Sequence, residues 1–171
     1  MFGALHAIFG VMSLLPGGWV FLLPKGTRLH VGLGWGYVAS MVCLNGSGLC
    51  IFRLTGGLNL FHGLAVASLL MVTAGVLQVR YRTRIRHWLW RHYHYMAWSY
   101  VGLVAATGNE AFVRVSFLRR LAASLAAAPP LLFSALVLAG AAAVIFSKQR
   151  RVLSRYGRGG ADPVAAAGAK E

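Results

Sequence analysis

The chain has 171 residues, 58% of them hydrophobic, and sets only three acidic side chains against 17 Lys and Arg. An ordinary water-soluble domain carries about a quarter charged residues, so that class is excluded, and apolar stretches long enough to cross a bilayer recur along the sequence. The formal charge of +14 does not call for nucleic acid. The basic residues cluster between apolar segments, where they anchor helix ends and fix orientation.

In lipid every backbone polar group must be satisfied internally, which leaves helices or a closed barrel. The apolar runs here are continuous rather than alternating, so they predict an all-α integral membrane helical bundle. Its expected form is a four-helix core plus a fifth transmembrane helix over residues 1–147, followed by a basic, disordered cytoplasmic tail over 148–171.

The first helix is expected from Phe2 to Leu23, with a kink at Pro16-Gly17-Gly18. It has no basic leader and no clear small-residue cleavage site, so it reads as a retained helix rather than a signal peptide. The second runs from His30 to Phe52 and opens with Gly32, Gly34 and Gly36. Residues this small let another helix, or a flat ligand, approach closely. Cys43 and Cys50 share one face but lie about 10 Å apart along the helix, too far to bridge each other. They read as small packing residues. The third helix is expected from Leu58 to Val79 and the fourth from His92 to Val115. Between them Arg80 to Trp90 alternates arginine with aromatic and aliphatic residues, as suits an interfacial anchor. The fifth is expected from Pro130 to Phe146, started by Pro129-Pro130. The tail from Gly157 to Glu171 is rich in Gly and Ala without apolar periodicity.

Counting Lys and Arg by loop orients the bundle. Lys25, Arg28, the Arg80–Arg91 run and the Lys148–Arg158 run fall on one side, and Arg53, Arg114, Arg119 and Arg120 on the other. The positive-inside bias makes the first side cytoplasmic. That implies a bacterial inner-membrane protein with its N-terminus outside and its C-terminus inside.

Six histidines then sort by depth. His6 and His62 lie near the outer ends of helices one and three. His30, His92 and His94 lie at the inner ends of helices two and four, and His87 sits in the arginine-rich loop. A histidine at a helix end is ordinarily an interfacial side chain. Here the four helices supply two pairs that diagonal packing would bring face to face, His6 with His62 and His30 with His92 or His94. Two imidazoles from facing helices ligate haem iron axially, with the porphyrin between the helices. His92 and His94 are two apart and point to different faces, so at most one serves. One or two haem b groups, with a quinone and a redox partner as candidate companions, would make the chain an electron carrier or transmembrane oxidoreductase of the quinol or metal reductase type. Zinc or copper also suits imidazole, but no closed four-ligand spacing is present. Glu110 is the only acid within an expected helix. It pairs with Arg114 at i,i+4, or with Asn109 forms a candidate proton-accepting or quinol-binding site. The competing expectation is a cofactor-free accessory subunit of a larger membrane complex, with basic loops facing lipids or acidic partners.

Three stretches carry a resemblance: KGTRLHVGLGWGYVASM (Lys25 to Met41), NLFHGLAVASL (Asn59 to Leu69) and HYHYMAWSY (His92 to Tyr100). Over roughly the first four helices the chain resembles a bacterial family of multi-pass membrane proteins, a domain family of unknown function. The shared pattern is Lys-Gly-Thr-x-x-His, Phe-His, and a histidine four residues before Met. It singles out His30, His62 and His92, and His6 less clearly. Many members carry further arginines after the last of these histidines, where this chain has tyrosines and His94. In layout, though not in motif, the paired histidines look like the diheme b-type cytochromes that pass electrons across membranes. That likeness is an analogy.

Overall fold

A computed structural model describes residues 2–52, 56–58, 60–125 and 128–156. Its elements are six helices: α1 (Phe2–Leu22), α2 (Arg28–Leu49), α3 (Leu60–Arg80), α4 (Trp88–Arg114), α5 (Ser116–Ser124) and α6 (Ala128–Tyr156). Among the described residues there is no strand. Arg53, Asn59, Arg158 and the 157–171 segment lie outside the described residues.

Three helices are long and apolar enough to cross a membrane: Gly3–Leu22 in α1, Phe61–Arg80 in α3 and Pro129–Arg155 in α6. Their outward faces are bare of protein. Leu15 is 70%, Leu70 65% and Leu136 72% exposed. Apolar surface on that scale is a liability in water and the normal state against lipid tails. α2 and α4 are as long but more polar, carrying glycines, histidines, Ser and Asn.

Successive helices pack in a ring, α1 on α2, α2 on α3, α3 on α4, and α4 back on α1, while α6 packs outside on α4. Tyr37, Met41 and Leu44 of α2, Val72 of α3 and Leu103 of α4 form the core, with Phe9 and Leu14 of α1 packed against it. A second cluster joins Ala97 and Val101 of α4 to Ile145 of α6. Thus α4 buries two faces.

Glycines set the close approaches. A Cβ on Gly17 would meet Tyr100 Cδ2 at 2.7 Å and Tyr37 Cδ2 at 2.8 Å. The Pro16-Gly17-Gly18 stretch, expected to kink, lies inside an unbroken α1 and forms a notch that admits two tyrosine rings. A Cβ on Gly75 of α3 would meet the Met96 sulfur at 2.6 Å, and one on Gly108 of α4 would run into the Phe133 ring of α6.

Several boundaries differ from the sequence expectation. α4 begins at Trp88 because His87, in the left-handed region at φ 57°, turns the chain into it. The interfacial stretch is therefore shorter, and Trp88 to Arg91 are helical. Val115 is extended, which ends α4 and releases the short helix α5, absent from the expected elements. α6 runs on to Tyr156, so residues 148–156 are the charged end of a helix rather than tail. Gly32 and Gly36 are exposed, and no atom lies within 4 Å of a Cβ built on either. Among the described residues no other helix packs on them. Cys43 and Cys50 are likewise exposed, as free thiols, and fill no core.

Candidate functional site

The basic end of the bundle gathers two histidines from diagonal helices. His30 stands in the first turn of α2, which Thr27 caps by accepting the His30 backbone N–H at 3.2 Å. Its ring lies beside the Val20 carbonyl and within electrostatic range of both Lys25 and His92. Its Nδ1 is buried without a hydrogen bond among the described residues. His92 stands in the second turn of α4, and its Nδ1–H donates to the Gly75 carbonyl of α3 at 2.8 Å. That bond fixes the ring and its tautomer and puts the lone pair on Nε2, as it does where a histidine ligates a metal.

Two further features sit at this level. Gly34 is four residues after His30, on the same inner face, and no atom lies within 4 Å of its would-be Cβ. Gln78, near the end of α3, is buried with its Oε1 unpartnered. Buried polar atoms are ordinarily paired, so His30 Nδ1 and Gln78 Oε1 are two groups whose hydrogen bonding the described residues do not complete.

His94 is turned away from this site. Its Nε2–H donates to Gln149 Oε1 of α6 at 3.0 Å, and its ring packs against Trp90, with centroids 4.4 Å apart, and against Phe146. It also lines a notch of about 540 Å³ with Met71, Trp90, Arg91, Tyr95 and Trp98. The two histidines thus face different helices, His92 towards α3 and His94 towards α6. His87, at the head of α4, is exposed.

No family model, curated protein or solved structure matches this chain.

At the other end, His6 Nδ1 lies 3.1 Å from the Leu44 carbonyl and 3.3 Å from Ser47 Oγ, with its Cε1 against Gly48. His62 is 5% exposed and stacks on Phe52, with centroids 5.0 Å apart. Both rings lie against the last turns of α2 and its exit, and they meet different residues there. Among the described residues no three His, Cys, Asp or Glu side chains surround a common point. A metal held here by a histidine pair has only two protein donors.

Asn109 and Glu110 each engage a neighbour, and Asn109 Oδ1 is buried without a hydrogen bond among the described residues. The Asn109 amide donates to Ser134 Oγ of α6 at 2.8 Å, which turns it away from the ring of α1 to α4. Glu110 accepts from Arg114 at 2.6 Å, with both partly exposed.

The polar centre of the bundle lies elsewhere. Tyr37 Oη and Ser99 Oγ are 2.9 Å apart, Ser99 also donates to the Met96 carbonyl, and Tyr100 Oη donates to the Leu14 carbonyl at 3.3 Å. These bonds tie α1, α2 and α4 together below the inner histidines. Tyr37 follows His30 by seven residues and Ser99 follows His92 by seven, so each pair shares a helix face. Helical periodicity counted from the histidines is the signal that finds them.

Proposed function

We propose that the chain is a membrane b-type cytochrome-like electron carrier whose haem is held between His30 and His92 at the basic end of a four-helix core. The observation that carries this is the buried His30 Nδ1, which has no hydrogen bond among the described residues, at the same end of the bundle as a His92 ring fixed through its Nδ1 by the Gly75 carbonyl. Two protein donors suffice for haem, whose macrocycle supplies the other four, whereas a structural zinc needs four. The residues present fit the group in donor chemistry, in the orphaned Nδ1 and in the room beside Gly34.

Bound there, haem supplies one-electron chemistry. The chain does the rest. The Gly75 carbonyl holds the His92 ring in one tautomer. The Lys25 ammonium favours the form that carries the extra electron, and the packed tyrosines beneath exclude water from the inner face. The aromatic notch at His94 is the candidate place for a quinone ring, with Arg91 beside it to donate to a carbonyl oxygen. His6 and His62 form a second, weaker candidate centre, since each is engaged separately with α2.

This reading includes the bundle's relation to the membrane. α2 and α4 have 22 and 27 residues, enough to cross the hydrocarbon layer, and they pack between α1 and α3. If those two span, α2 and α4 run through the same layer. α6 is then the fifth span, and the arginine-rich end faces the cytoplasm of a bacterial inner membrane. The motif resemblance of the first four helices belongs to the same proposal.

A second reading, a cofactor-free subunit of a larger complex, is favoured by one observation. Gly32, Gly36, Ala39, Cys43, Gly46 and Cys50 form an exposed small-residue stripe along the outer face of α2. Such a stripe suits close contact with another transmembrane helix. Haem content of purified variants separates the two. Under the first reading H30A and H92A lose the cofactor and H94A keeps it. Full haem retention in both H30A and H92A rejects the ligand assignment.

A further inference from the structure

Where α1 ends and the last turns of α6 pass by, a notch of about 290 Å³ is lined by Leu22, Leu23, Lys25, Arg151, Val152 and Arg155, with Phe21 and Pro24 at its edge. Two kinds of surface meet in it. One wall is apolar, with Leu22 80% exposed. The other is cationic.

The cations there are crowded. Burial, and behind it the charge of Lys148, hold the Lys25 ammonium below the usual lysine range. The ammonium is fixed in place. It donates to the Val20 carbonyl at 2.8 Å and the Phe21 carbonyl at 2.9 Å, which caps the C-terminal end of α1. An ammonium has three donors, so a third is left for a ligand. The only acid among the described residues is Glu110, and it is bound to Arg114. The chain has 17 Lys and Arg and three acids in all, so its own carboxylates cannot balance this cluster and the others. Like charges held together at a partly buried site favour an anion that satisfies several donors at once.

We propose that Lys25 and Arg151 bind the phosphate of an anionic phospholipid, whose acyl chains run along Leu22, Leu23 and Val152. Charge complementarity selects the headgroup, and the apolar wall selects a lipid over a free ion. Basic pockets beside transmembrane helices hold anionic headgroups in this way. Lys25 is shared with the haem reading through its charge near His30, whereas Arg151, Val152 and Arg155 take no part in it, so the test turns on Arg151.

The test uses the full chain in detergent, with native mass spectrometry to count lipid retained from added phosphatidylglycerol or phosphatidylcholine. The wild-type chain is expected to keep phosphatidylglycerol selectively, and R151Q to weaken it about fivefold. Arg151 is exposed near the end of α6, so this variant folds. R84Q, which removes the same charge in the arginine-rich turn after α3, is expected to bind as the wild type does. Millimolar inorganic phosphate is expected to leave the bound lipid in place. Equal retention of the two lipids, an equal loss in R84Q, or displacement by inorganic phosphate would each overturn the site.

Discussion

Replacing Gly17 by Ala tests the joint that holds α1 to the bundle. The added methyl would stand 2.7 and 2.8 Å from the Tyr100 ring and 2.8 Å from Tyr37. The two rings, 6.3 Å apart by centroid, also pack on each other, and both hydroxyls are hydrogen-bonded. Neither can swing aside freely. Overpacking of this kind costs about 1–3 kcal/mol. Ala also gains about 0.5–1 kcal/mol over Gly in a helix interior, so G32A, which meets nothing, is the matched control. Its difference from G17A cancels the propensity and isolates the contact. Unfolding in mixed micelles of rising sodium dodecyl sulfate measures both. In a Y100A background the cost of G17A should fall but not vanish, because Tyr37 remains. If G17A is as stable as G32A, the notch does not hold the tyrosines and the diagonal geometry built on it fails.

S99A should cost about 1–3 kcal/mol by leaving the buried Tyr37 hydroxyl unpaired, and Y37F under about 1.5, because Ser99 keeps the Met96 carbonyl; the same micelle titration ranks them, and the reverse order refutes the network. E110Q should change stability by less than about 0.5 kcal/mol, since an exposed i,i+4 pair is weak, and should leave redox turnover unchanged; lost turnover would restore Glu110 as a proton acceptor. G32A should leave the isolated chain intact or firmer. If a second copy or another subunit covers the α2 stripe, cross-linking in the native membrane should weaken in the same variant, and unchanged cross-linking argues against that second reading.

The helical class and the long apolar elements were legible because apolar runs without alternation have one outcome in lipid. The faces of α2 were harder. Tyr37, Ser40, Met41, Leu44 and Asn45 are its buried residues, at helical spacing, and three of them are polar. In a membrane the hydrophobic pattern no longer marks the inside, because lipid is as apolar as the core. Polar periodicity marks it instead. For the same reason the glycines of α2 signal a close approach without saying which face takes it, and Gly32 and Gly36 lie on the exposed face.

His92 and His94 were separable by geometry alone as pointing apart, but which faced α2 depended on where α6 packs, and residue spacing does not carry that. α5 was missed because Arg119 and Arg120 read as loop charge; Val115, extended, is what breaks the helix before them. Likewise α6 runs on through Lys148 and Arg151, because charges end the membrane span without ending the helix. A helix continues past the membrane wherever its backbone bonds can.

The most direct measurement is a reduced-minus-oxidised visible spectrum of the detergent-purified chain from haem-replete cells, with a pyridine haemochrome assay for haem per chain. A sharp low-spin b-type signal at about one haem per chain is expected from the His30–His92 centre, rising to about two only if His6 and His62 also bind. A colourless chain would contradict it.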